Sequence, residues 1–230
     1  MELVTRRAWQ PLLAILFLSL PLQVGAVDTS SAIDAWLKAQ TNVQSWSADF
    51  VQTRSLKSLT RPLTAKGHVW FAAPNRFRWE LGNPPETIAV RAPSELEVIY
   101  PLLKRVERFP LDGPEAGKWR DALALLEAGF PRSREELDKQ YNIVGESITG
   151  ETCELKLQPK SSAARKMMPA IVITFNLQKL SLVATELQFA DGSSMRNDFK
   201  DAVLNTPVDE KLFSPEFPAD YKVVNPLTKR

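Results

Sequence analysis

The sequence predicts a mainly β protein of the α+β class. One long antiparallel sheet of about eleven strands curls so that a few helices cover its apolar face. Three observations carry this reading. Apolar residues alternate with period two through most of residues 45–109 and again through 141–203. Short links rich in Pro, Gly, Asn and Asp separate these runs, the pattern of an antiparallel meander. The helical period of about 3.6 appears only at the start of the domain and in its middle. The 230 residues, 44% hydrophobic and 24% charged, exclude a disordered or low-complexity chain.

The elements follow in order. Ser30 or Ser31 can cap a first helix, in which Ile33, Trp36 and Leu37 recur at helical spacing, and Asn42 marks its end. From Ser45, Trp46, Ala48 and Phe50 alternate with Ser47, Asp49 and Val51, as in a half-buried strand. Residues 54–64 read as a basic hairpin loop and 66–71 as the next strand. Residues 76–81 alternate strictly, with Phe77, Trp79 and Leu81 on one face and Arg76, Arg78 and Glu80 on the other. Strands follow at 87–90, 96–100 and 103–109. Trp119, Ala122, Leu123 and Leu126 then form one stripe of a helix over 115–128, stopped by Gly129. A short polar helix fits 132–139. Strands resume at 141–146, 151–158, 171–177, 182–189 and 194–203, with 159–169 as a basic loop. Residues 209–217 read as a turn or short helix, before a final strand at 221–224. No internal repeat or linker divides residues 27–230, so one domain is expected.

The amino terminus sets the compartment. Arg6 and Arg7, the apolar run 11–22 and Val24-Gly25-Ala26 have the order of a cleavable secretory signal peptide spanning residues 1–26. The apolar run falls short of the ~20 residues that a membrane span needs. No Cys follows it for acylation, and the single Cys153 closes no intramolecular disulfide, which favours the bacterial periplasm.

Composition narrows the chemistry. A net charge of +2 provides no broad footprint for nucleic acid. One His and one Cys cannot build a zinc-finger-type site. No GxGxxG, P-loop, GxSxG or HExxH motif occurs, so neither cofactor, metal nor enzyme activity is expected. His68 reads as a strand histidine and Cys153 as a small packing residue. The carboxylates Glu95 and Glu97 share one strand face, which reads as solvated. What remains is aromatic content: Trp36, Trp46, Trp70, Trp79 and Trp119, with ten Phe beyond the leader. Such residues either fill a core or line the hollow of a sheet too wide for its own side chains.

The run 67–80 (GHVWFAAPNRFRWE) resembles the G-x-(L/V)-W-x-x-(R)-P-x-x-F-x-W core of the LolA family of periplasmic lipoprotein carriers. Residues 47–52 (SADFVQ) resemble that family's S-F-x-Q strand. Residues 85–88, Tyr100-Pro101 and 213–218 resemble its later P-x-x-x-I, Y-x-P and F-x-F-x-P elements, so the likeness covers most of residues 32–225. It implies an open antiparallel half-barrel with helices as a lid, acting as a monomer. It implies a cargo of acylated lipoproteins or lipid, an inner-membrane ABC-type release complex and an outer-membrane acceptor lipoprotein. Trp46, Phe50, Val69, Phe71, Phe77, Trp79, Leu96, Val98 and Tyr100 are then the expected cavity residues. Trp36, Trp119, Leu123 and Leu126 are the expected lid. Two departures stand out. Ala73 occupies the place of a family Arg that helps latch the lid, and residues 91–94 (RAPS) replace the usual D-G turn. Alternation points Arg76 and Arg78 away from Phe77 and Trp79. A regulatory protein that senses lipid and binds a membrane-protein partner through the same half-barrel is the second reading. Such sensors usually carry a further domain, for which no room is expected after residue 225.

Overall fold

The fold is that of a computed structural model, which describes residues 28–92, 94–112, 131 and 133–226. The leader 1–26 and the expected lid helix 115–128, with Trp119, Leu123 and Leu126, lie outside the described residues.

Asp28, rather than Ser30 or Ser31, caps α1 (Thr29–Gln40): its carboxylate accepts from the Ser30 amide. The meander that follows is β1 (Ser45–Ser55), β2 (Leu63–Ala72), β3 (Arg76–Leu81), β4 (Thr87–Arg91), β5 (Glu95–Tyr100) and β6 (Arg105–Pro110). Next comes α2 (Arg134–Gln140), where the Ser133 hydroxyl accepts from the Glu136 amide and acidic residues occupy the first turn. A second meander comprises β7 (Tyr141–Thr149), β8 (Thr152–Pro159), β9 (Ala170–Asn176), β10 (Leu182–Gln188) and β11 (Ser194–Leu204). The segment expected as a loop between β8 and β9 contains a short helix, α3 (Ser162–Met167), because the Ser161 hydroxyl caps it.

With β12 (Lys222–Val224) the described strands join one twelve-stranded, unclosed sheet in the order β12-β6-β5-β4-β3-β2-β1-β11-β10-β9-β8-β7. The two meanders meet where β1 pairs with β11, so residues far apart in sequence share the centre of the sheet. The last strand, β12, pairs with β6 in parallel, the one departure from an antiparallel meander among the described strands. A parallel pairing needs a long crossover. Residues 205–221 supply it by crossing the outer face of the sheet.

Asn205, in the left-handed region at φ 55°, starts this crossing: its side-chain oxygen accepts from the Gln44 amide at 2.7 Å. Arg76 bonds Glu210, and the Arg78 guanidinium donates to the Leu212 carbonyl at 3.2 Å. The Arg76 guanidinium also lies 5.0 Å from the centre of the buried Phe213 ring. Phe217 and Tyr221 then pack against Val90, Ile99 and Val106 on the outer face of β4–β6.

The main core lies on the inner face. Ile33, Trp36 and Leu37 of α1 pack on Cys153, Leu155, Leu157, Ile171, Ile173 and Phe175 of β8 and β9. Trp36 stacks on Phe175 with ring centres 4.8 Å apart. Glu97 corrects the expectation of a solvated carboxylate. It is buried on the outer face and takes the Arg108 guanidinium at 2.7 Å. Desolvation pushes its carboxyl above the usual range, against the pull of Arg108.

Candidate functional site

Over the middle of the inner face, packing leaves a cavity of about 210 Å³. Its floor is built by alternation. On β1 the inward series Trp46, Ala48, Phe50 continues to Gln52. On β2 the inward residues are Val69 and Phe71, on β3 Phe77 and Trp79, on β4 Ala89 and Arg91. Met195 and Asn197 of β11 complete the floor. Leu137 and Gln140 of α2, with Tyr141, form the opposing wall.

Of the nine expected cavity residues, Val69, Phe71, Phe77 and Trp79 line this space. Trp46 and Phe50 lie on the same face but are packed beneath it. Trp46 meets the Phe199 ring edge-on at 5.1 Å, and Phe50 lies 4.1 Å from Trp79. Gly67 makes room for Phe50, since a Cβ there would overlap the Phe50 ring and the Glu80 carbonyl. Leu96 and Val98 share the inner face further along, in a small cluster with Phe109, Leu111, Phe77 and Ala89. Tyr100, half-buried, ends the same β5 series. Of the expected lid, Trp36 is described, and it is fully buried over β9 rather than over the cavity.

Gln52, the last residue of the S-F-x-Q resemblance, shares the cavity with Asn197 and Arg91, and none of the three is among the expected cavity residues. Gln52 and Asn197, 6% and 4% exposed, face one another across the β1–β11 pair. Gln52 Nε2 donates to Asn197 Oδ1 at 3.1 Å, and Asn197 Nδ2 donates to Thr185 Oγ1 at 3.3 Å. Arg91 brings a guanidinium to the same space, and burial lowers its pKa. The signal was available: Gln52 follows Phe50, and Arg91 follows Ala89, at the strand period of two. Arg76 and Arg78 face outward, as alternation requires, and hold the carboxy-terminal crossing. His68 also faces outward, its Nδ1 2.5 Å from Asp49 Oδ1. Among the described residues, no cluster of His, Cys, Asp and Glu is arranged to hold a metal ion. Nor, among them, is any helix long and apolar enough to cross a membrane.

The chain is similar to several known proteins. An outer-membrane lipoprotein carrier protein of Chromohalobacter salexigens is 29% identical over 186 residues, covering 80% of this chain and 81% of that protein. An uncharacterized conserved protein from Thermus thermophilus shares the fold, with a TM-score of 0.50 at 14% identity over 85% of this chain and 99% of that one. A LolA superfamily protein from Nitrosomonas europaea aligns with a TM-score of 0.41 at 11% identity, over 81% and 98% of the two chains. The profile of the family described as outer membrane lipoprotein carrier protein LolA matches residues 41–216. With its unclosed sheet, its helices on the inner face and that match over most of its length, the chain belongs to the LolA family.

Proposed function

We propose that this chain is a periplasmic carrier that shields the acyl chains of lipoproteins, or of a related lipid, in the inner-face cavity. It passes them from the inner to the outer membrane. An inner-membrane ABC-type complex loads it and an outer-membrane acceptor lipoprotein receives the cargo. Residues 1–26 are its cleaved leader, and no chemical transformation of the cargo is involved.

The observation that carries this reading is the apolar floor of the cavity over β2–β4. Val69, Phe71, Phe77, Trp79 and Ala89 face a cavity in a sheet whose other inner face is sealed by α1. An open apolar surface in a folded protein marks a binding site.

Magnitude shapes the mechanism. Each buried methylene stabilises an acyl chain by ~0.8 kcal/mol. Three long chains would reach tens of kcal/mol, too tight for a shuttle that must release them. The cavity, about 210 Å³, is smaller than the ~300–1,000 Å³ of ordinary ligand pockets. Entry therefore displaces apolar side chains, and binding becomes an exchange of apolar contacts with a modest net gain. Leu137 of α2, at the wall of the cavity, is one such side chain.

The test is Trp79→Glu. A carboxylate on the cavity floor should abolish uptake of an acylated lipopeptide while circular dichroism shows unchanged β content. Uptake at the wild-type level would remove this face as the acyl site.

A further inference from the structure

Gln52 and Asn197 pose a question that an acyl site alone does not answer. Both are more than nine-tenths buried in the floor of a largely apolar cavity, beside Trp79 and Met195. A leucine at either place would serve an alkyl chain better, because a buried amide left without a partner costs folding free energy. The ladder engages three of the four polar atoms of the two amides: Gln52 Nε2 to Asn197 Oδ1, Asn197 Nδ2 to Thr185 Oγ1. Among the described residues, nothing hydrogen-bonds the other end of the Gln52 carboxamide, Oε1. The ladder therefore ends in the cavity with one hydrogen-bonding atom to spare.

The spare atom can be of either kind. As oriented, Gln52 presents an acceptor. Turning both carboxamides over reverses the chain: the Thr185 hydroxyl donates to Asn197 Oδ1, Asn197 Nδ2 donates to Gln52 Oε1, and Gln52 Nε2 becomes a free donor. Thr185 permits this because a hydroxyl both donates and accepts. Pairing between β1, β11 and β10 keeps the three side chains in one row in both arrangements.

We propose that Gln52, positioned by Asn197 and Thr185, is a polar subsite in the acyl cavity that hydrogen-bonds the linkage at the head of an acyl chain, an ester, amide or hydroxyl. This rests on the cavity being the acyl site. It adds that the cavity distinguishes an amphiphile from a bare hydrocarbon, and that it fixes how deep the chain sits. A carrier with such a stop holds the polar linkage at one place and lets chain length vary beyond it.

The experiment compares tridecane, dodecanol and methyl undecanoate as competitors of a fluorescent naphthylamine probe bound to the purified protein. The quantity read is the affinity of each polar ligand relative to tridecane, in wild type and in Gln52→Leu. Using the ratio between proteins cancels the different hydration of the ligands. Expected is a loss of about tenfold in that preference in Gln52→Leu, the size of one buried hydrogen bond, with tridecane binding kept or improved. Thr185→Val, which does not touch the cavity, should lower the preference by less, as a positioning residue would. Gln52→Met serves as the second variant if the leucine disturbs packing, and retained tridecane binding certifies the fold of either. An unchanged preference in variants that still bind tridecane overturns the polar subsite alone. Failure of the wild-type protein to bind any of the three overturns the acyl cavity and the subsite with it.

Discussion

β9 and β3 belong to one sheet and present equally apolar inner faces, yet they end up in different states. Residues 170–175 of β9 are all buried, whereas every residue of β3 is only half-buried. The difference lies in which face of the sheet carries the stabilising core. Over β8 and β9 the inner face is sealed by α1, and on the outer face Val172 is flanked by Lys156 of β8 and Glu186 of β10. Over β4–β6 the outer face carries an apolar cluster beside the Glu97–Arg108 pair: Val90, Ile99 and Val106 are at most 4% exposed beneath Phe217 and Tyr221. The core changes sides along the sheet. That arrangement lets the second half keep its strands while leaving inner-face surface for a ligand. Over β4–β6, the cluster of Val90, Ile99 and Val106 thus lies on the face opposite the cavity.

Substitutions can break this comparison. Trp36→Ala removes the ring that fills the sealed half and should cost about 3–5 kcal/mol, read as a lowered denaturant midpoint. Phe213→Ala should cost about 3 kcal/mol by loosening the outer-face crossing beside Arg76. A Phe213→Ala protein as stable as wild type would show that the crossing does not support β3–β6.

Gly67→Ala sharpens the comparison at the boundary. Its methyl group would overlap both the Phe50 ring and the Glu80 carbonyl of β3, so ring and strand must shift, for a cost of about 3 kcal/mol. Probe binding should change as well, because Trp79 lines the cavity. Trp79→Ala should cost only about 1–2 kcal/mol, since part of its ring faces open space, while acyl binding falls strongly. Equal destabilisation by Trp36→Ala and Trp79→Ala would erase the distinction between the two regions.

The smallest effect concerns Glu97. Its carboxyl is raised in the folded protein, chiefly by desolvation, so the folded state holds the proton more tightly than the unfolded chain. The stabilisation is present below the unfolded pKa and is lost as pH rises from there through the raised folded value. Melting temperatures from pH 4 to 7 should therefore show wild type losing ground to Glu97→Gln as pH increases. A constant gap would mean that Arg108 balances desolvation, and a gap that moves the other way that it outweighs desolvation.

Much of this molecule is legible in its sequence, because strand alternation is a local property. The period of two in β3 places Phe77 and Trp79 inward and Arg76 and Arg78 outward, and the structure has them there. The same rule extends to Gln52 and Arg91, although polar residues in an apolar row attract less notice than aromatic ones. The run 67–80 likewise carried the family. Other features depend on partners remote in sequence. Whether Trp36 covers the cavity or fills a core depends on α1 lying over β8 and β9, more than a hundred residues away. Glu97 reads as solvated until the outer face of β5 is covered from the carboxy terminus. The Gln52–Asn197–Thr185 row exists because β1 pairs with β11, and β11 with β10. Alternation along a strand decides which residues share a face, and that the sequence determines by itself. Which face is sealed and which is left open is decided by long-range packing, and only the tertiary structure contains it.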